Sequence, residues 1–151
     1  MASVIAVCSS KEKGTKKEPV AGGILKEDYG LIGDAHADYG TNRQVSLLAI
    51  ESINQMRSLG LNVNPGDFAE NLTTGGIDIA SLPLGTRLSV GKKVVLEITQ
   101  IGKECHTGCA IFRQVGKCLM PKEGVFTRVI QGGVVKAGDI IKTPGERLPK
   151  T

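Results

Sequence analysis

The chain has 151 residues, 40% of them hydrophobic and 23% charged, with a net charge of +4. This is enough for one domain with a core of its own, and the composition is globular rather than disordered. Aromatic residues make up only 3% and tryptophan is absent, which argues against a surface that stacks bases, so no specific nucleic-acid partner is expected.

Ser3–Val7 opens the chain as a short apolar β-run. The wider stretch Ala2–Cys8 is too short for a membrane span or a signal-peptide core, and no other window comes closer. Neither a membrane partner nor export is expected. Four cysteines without an export signal then point to a reducing compartment, and hence to the cytoplasm. Lys11, Lys13, Lys16 and Lys17 supply much of the positive charge within a basic loop over residues 9–18, which reads as a solvated loop in preference to an anion-binding surface. Cys8 reads as a small core residue.

Val20–Leu25, with Gly22 and Gly23, suggests one strand carrying a bulge. Gly30 and Gly33 bracket a turn into Asp34–Gly40, a polar loop holding His36 that could line a site. Gln44–Leu48 suits either a strand or the start of a helix. Beyond it Ile50, Ile53, Met56, Leu59 and Leu61 follow helical spacing, and Gly60 is placed to end that helix. Pro65-Gly66-Asp67 is a turn signal, and Phe68–Thr74 reads as another strand. Short β-runs follow at Ile77–Ile79, Arg87–Val90, Val94–Ile101, Gly124–Ile130 and Asp139–Lys142. In Val94–Ile101 the residues Val94, Leu96 and Ile98 share one face, the period of a half-buried strand. With 20 glycines punctuating these runs, the expected fold is mostly β, a closed or nearly closed distorted barrel with a few short helices. Residues 1–151 form a single domain in this reading, with a flexible tail over about 143–151.

Reactive groups gather between Gly102 and Val129, where Cys105, Cys109 and Cys118 fall among His106, Lys103, Arg113 and Arg128. A thiolate is a nucleophile and a soft metal ligand, and neighbouring cations lower the pKa for forming it. Three readings stay open. Cys105 is a working thiol assisted by His106; or Cys105, Cys109 and Cys118 bind zinc with His106 or His36; or Cys109 or Cys118 resolves an oxidised Cys105 as a disulfide. The plain alternative is a buried, inert cysteine. Arg43 and Arg128 are candidates to hold a phosphate, since a guanidinium donates two parallel bonds to one. Glu70 and Asn71 follow a turn and are candidates for hydrogen bonding to a ligand, whereas an ordinary surface or loop role explains any of these four. No nucleophilic-serine elbow or dinucleotide fingerprint occurs.

Taken together, Asp34 and His36, Arg43–Leu48 (RQVSLL), Pro65–Leu72 (PGDFAENL), the cysteine region, and Gly124–Val129 (GVFTRV) followed by Gly138-Asp139 resemble the MOSC domain. That module ends the molybdenum-cofactor sulfurases and also stands alone as small bacterial proteins. The resemblance covers nearly the whole chain in the family's order. It implies a mostly-β fold, a molybdenum cofactor (molybdopterin) bound through His36, Arg43, Glu70, Asn71 and Arg128, and Cys105 in the place of the cysteine that carries sulfur or ligates the metal. Lys103 and Glu104 stand where many members have Arg and Pro. The implied partners are a molybdoenzyme and a sulfur donor such as a cysteine desulfurase. Pyridoxal phosphate belongs to the sulfurases' separate desulfurase domain and is not expected on this chain. Two other readings are a small molybdenum-dependent reductase that needs a separate electron donor, and a zinc-stabilised, non-catalytic binding module.

Overall fold

The computed structural model describes residues 2–11, 17–35, 37–102 and 124–143. Their strands are β1 (Ser3–Ser9), β2 (Glu18–Val20), β3 (Gly22–Lys26), β4 (Gly30–Leu31), β5 (Val45–Ala49), β6 (Leu72–Gly75), β7 (Arg87–Val90), β8 (Val94–Ile101), β9 (Val125–Gln131), β10 (Gly133–Lys136) and β11 (Ile141–Lys142), with one helix, α1 (Ile50–Ser58). Eight strands make one sheet in the order β11-β7-β8-β9-β5-β6-β1-β2, and three make a second in the order β10-β3-β4. Within the large sheet only β5 and β6 run parallel. A parallel pair needs a crossover, and α1 lies on that connection.

The expected barrel is not found: both sheets are open. The large sheet ends at β2 on one side and β11 on the other. An isolated bridge from Ser3 to Ile140, flanked by backbone hydrogen bonds between Ala2, Val4 and residues 138–141, joins β1 to the approach of β11, but β1 and β11 are not neighbours in the sheet. The reason lies at two places where the chain changes sheet after a single residue. Ala21 separates β2 in the large sheet from β3 in the small one, and Gly132 does the same between β9 and β10. Strand length that would have closed a barrel is spent on a separate three-stranded layer. The single bulged strand expected over Val20–Leu25 is therefore two strands in two sheets. At the second switch a Cβ on Gly132 would lie 2.4 Å from the Leu25 carbonyl oxygen, so only glycine lets β9 leave the sheet there.

The main core fills the space between the layers. Leu25, Leu31 and Val135 from the small sheet pack with Val4, Leu47, Leu72, Leu96 and Val125 from the large one. A second cluster forms on the opposite face of the large sheet, where Ile53 and Met56 of α1 meet Leu48, Phe68 and Phe126. Strand β5 lies between the two clusters and is buried at all five positions. A strand buried on both faces shows no alternation, which is why Gln44–Leu48 read equally as strand or helix. Helix α1 ends as its spacing suggested: Gly60 takes φ 93°, and its N–H donates to the Arg57 carbonyl at 2.9 Å. Ile77–Ile79, expected as a β-run, instead leads into a 3-10 turn over Ile79–Ser81, and the strand expected from Phe68 begins only at Leu72.

Candidate functional site

The candidate site lies on the α1 face of the large sheet, where β8 ends and β9 begins beside the residues leading into β5. Phe126 and Arg128 are two apart on β9 and so face the same way. The Arg43 guanidinium lies over the Phe126 ring, 5.2 Å from its centroid, a cation–π arrangement. Arg43 Nε donates to Gln100 Oε1 at 3.1 Å. Gln100 Nε2 in turn donates to the Gly102 carbonyl at 2.8 Å. The Gly102 N–H closes the series by donating to the Gly124 carbonyl at 2.7 Å. Gln100 thus links Arg43 to the neck from which residues 103–123 leave and to which they return. Among the described residues, the terminal amines of Arg43 have no hydrogen-bond partner. A stacked guanidinium with free amines suits an anionic, planar ligand.

Arg128 is engaged differently. Its Nη2 donates to Asp28 Oδ1 at 2.8 Å, and Gln44 Nε2 donates to the same oxygen at 2.9 Å. Gln44 also accepts the Val129 N–H through Oε1 at 3.0 Å, which locks the amide's orientation. Asp28 takes φ 51° and donates its backbone N–H to the Val129 carbonyl. The Arg128 and Gln44 hydrogen bonds hold the Asp28 carboxyl below the usual carboxylate range. Arg128 Nε is buried without a partner. That orphaned donor and the Arg43 amines are the features that fit an anionic cofactor group; the Asp28 pairing leaves Arg128 with less charge to offer than Arg43.

Glu70 and Asn71 lie deeper, at 0% and 1% exposure. Asn71 is fully tied into the scaffold. Its Nδ2 donates to the Cys8 carbonyl at 3.2 Å, and its Oδ1 accepts the Ser46 N–H at 3.1 Å, joining β1 to β5. Glu70 Oε2 accepts from the Gly66 N–H at 3.0 Å and from Thr73 Oγ1 at 2.7 Å, while Oε1 has no partner. Burial pushes the Glu70 carboxyl upward against those two bonds. Cys8 is a core residue, as its position suggested. Burial first, and then the Glu70 and Asp67 carboxylates, push its thiol up to about 12.

Lys17 differs from the expected solvated loop. It is 2% exposed, and its Nζ donates to Asp34 Oδ1 at 2.7 Å in an ion pair whose side chains are both fully buried. Asp34 also accepts the Ser10 N–H, so the pair pins the turn before His36 to the end of β1. His36, Cys105, His106, Cys109 and Cys118 lie outside the described residues. Among the described residues no three His, Cys, Asp or Glu side chains are grouped as a metal site, and zinc finds no support there. No described helix is long and apolar enough to cross a membrane.

Sequence reasoning missed Asp28, Gln44, Gln100 and Phe126. Gln44 stands beside Arg43 and Phe126 within GVFTRV, so the sequence blocks mark their positions and not their roles. Nothing local marks Gln100 or Asp28, because each acts through a residue distant in sequence.

A sequence model of the family described as the MOSC domain matches residues 34–142. No curated protein matches the sequence. Among solved structures, the YUAD protein from Bacillus subtilis is similar with TM-score 0.71 and 18% identity, over 93% of this chain and 94% of that one. YiiM from Geobacillus stearothermophilus gives 0.73 and 21%, over 95% of this chain and 75% of that one. YiiM from Escherichia coli gives 0.65 and 20%, over 100% and 71%.

Proposed function

This chain belongs to the MOSC domain family, which is associated with molybdenum-cofactor binding, and on that footing we propose that it holds the cofactor at the Arg43 face and handles sulfur for it through Cys105. The observation that carries this reading is Gln100, bonded at once to Arg43 and to Gly102 at the root of the cysteine-bearing segment. Arg43 is the residue to hold the anionic group, with Phe126 fixing its plane. Arg128, committed to Asp28, supplies its unpartnered Nε and a positive field. Glu70 and Asn71 act from beneath, by holding β1, β5 and β6 in register. When bound, the cofactor supplies a redox-active molybdenum centre that takes sulfur as a ligand.

The sulfur step on this chain is thiol–persulfide exchange. The Cys105 thiolate attacks the terminal sulfur of a donor persulfide, a new S–S bond forms on Cys105, and the donor leaves as its thiolate. No net oxidation occurs, so no added oxidant is needed. Lys103 and His106, close in sequence, are the cations proposed to favour the thiolate. A cysteine desulfurase is the proposed donor, and a molybdoenzyme the proposed recipient.

The test is purification without oxygen from a host that makes molybdenum cofactor, followed by elemental analysis and pterin detection. Near-stoichiometric molybdenum and pterin in the wild type, with most of both lost in Arg43→Gln, is the expected result. Absence of pterin from the wild type would overturn the binding reading. For the sulfur step, a persulfide mass increment of one sulfur is expected on Cys105 after incubation with a desulfurase and cysteine, and not on Cys105→Ser.

A further inference from the structure

A second concave surface lies at the other end of β8. Gly91, Lys92 and Lys93 turn the chain from β7 into β8 and lie against β10. Together they enclose a cavity of about 400 Å³ lined by Lys92, Lys93, Gly133, Val134, Lys136 and Asp139. Its charges do not cancel. Asp139 accepts the Lys136 Nζ at 2.9 Å through one oxygen and the Lys136 N–H at 2.9 Å through the other. Burial opposes the Asp139 charge, but those Lys136 bonds outweigh it and hold the carboxyl below the usual range. One carboxylate therefore serves Lys136 by direct contact and Lys92 by attraction without an ion pair. Lys92 and Lys93 are both exposed, and neither ammonium has an ion-pair partner among the described residues.

The wall behind these lysines is built. Gln131 Nε2 donates to the Lys93 carbonyl at 2.6 Å, fixing the turn against the end of β9. A Cβ on Gly133 would come within 3.2 Å of Lys93 Cβ, so the turn packs directly on the β10 backbone. Across the mouth lies an apolar shelf: Val134 is 64% exposed, and its cross-strand neighbour Ile24 is 54% exposed. Two cations outside any ion pair, sharing with Lys136 a single carboxylate, beside an apolar shelf in a cavity at the small end of the range for small-molecule sites, call for an anion with an organic body.

We propose that this pocket binds a small phosphorylated organic molecule, with Lys92 and Lys93 on the phosphate and Val134 against the organic part. It is separate from the Arg43 face. The eight residues of β8 lie between them, about 25 Å at roughly 3.3 Å per residue.

The probe is phenyl phosphate, titrated into the full chain at low salt while backbone amide shifts are followed by NMR. Shifts are expected at Gly91, Lys92, Lys93 and Val134, with tighter binding than for inorganic phosphate. The double variant Lys92→Gln/Lys93→Gln should weaken binding about tenfold. Both lysines are on an exposed turn, so the variant keeps its fold, which its amide spectrum checks. Val134→Glu, which adds a carboxylate at the mouth, should weaken binding by a similar factor. Arg43→Gln should leave it unchanged, whatever becomes of the cofactor reading. Absence of shifts at the turn, shifts that survive the double variant, or equal binding of phosphate and phenyl phosphate would each overturn the proposal.

Discussion

Asp28 Oδ1 and Arg128 Nη2 meet at 2.8 Å across 100 residues of sequence. The contact ties the turn after β3 to β9, and it separates two arginines that otherwise look alike. Among the described residues the Arg43 terminal amines have no hydrogen-bond partner, whereas Arg128 commits one to Asp28. The two are joined through Gln44, which neighbours Arg43 in sequence and bonds Asp28 at 2.9 Å. A ligand drawn to Arg43 would therefore meet a framed, partly neutralised neighbour and not a second free cation.

The pairing has a pH signature. Arg128 and Gln44 lower the folded pKa of Asp28, so the carboxylate's contribution to stability is fully present above the ordinary carboxylate pKa. It is lost as pH falls through the lowered folded value. Between about pH 5 and pH 3 the wild-type melting temperature should therefore fall more steeply than that of Asp28→Asn, which keeps an acceptor but no charge. Parallel melting curves for the two proteins would mean that the Arg128 contact adds nothing in solution.

Cys8 should be inert in the folded protein. With its thiol near 12, the thiolate fraction at pH 8 is about one in ten thousand, and the side chain is 0% exposed. Iodoacetamide at pH 8 should leave Cys8 unmodified in intact protein and label it fully in guanidinium chloride, as peptide mass spectrometry will report. Rapid native labelling of Cys8 would remove it from the core.

The sequence reading succeeded where chemistry was local. Strands β7 and β8 begin and end as expected, since β8 alternates Val94, Leu96 and Ile98 inward against half-buried neighbours. Gly60 ended α1 because a helix terminus needs a left-handed residue close by. The failures were relationships between distant residues. A one-residue change of sheet at Ala21 leaves no mark on a hydrophobic pattern, so β2 and β3 read as one strand and the sheets as one barrel. Lys17 looked like its solvated neighbours because its partner, Asp34, is 17 residues away. The Arg43–Gln100 bond spans 57 residues and was equally invisible. Arg43 itself stood out through its sequence block, but the use of its side chain could be read only from the fold.

Gly132 should tolerate no side chain. An added Cβ would strike backbone, the Leu25 carbonyl oxygen at 2.4 Å and the Glu27 nitrogen at 3.2 Å, and neither can swing away. Gly132→Ala should cost about 2–3 kcal/mol in urea unfolding, at the upper end of the usual range for single substitutions. Gly85→Ala is the comparison, because a Cβ there meets nothing within 4 Å and only its φ of 86° is unfavourable. Its cost should stay near 1 kcal/mol. Gly132 has no positive φ, so equal losses would show that the backbone around Leu25 gives way and that the close approach does not demand glycine there.

Glu70 predicts the opposite pH trend to Asp28. Burial is the largest influence on its carboxyl and raises the folded pKa, against the bonds from Gly66 and Thr73. A raised carboxyl pKa means that the folded state favours the proton. The associated stability is fully present below the ordinary carboxylate pKa and is lost as pH rises through the raised folded value. Glu70→Gln keeps an oxygen to accept from Gly66 and Thr73 and can never ionise. In urea unfolding the variant should match the wild type near pH 4 and exceed it by about 1–2 kcal/mol at pH 8, where the wild type carries a buried charge with one oxygen unpartnered. Glu70→Ala strands the Gly66 N–H and the Thr73 hydroxyl, so it should be less stable than wild type at pH 4, where no charge is involved. A wild type whose stability tracked that of Glu70→Gln across the whole range would mean that the Glu70 carboxyl ionises alike in the folded and unfolded states, and that burial does not raise its pKa.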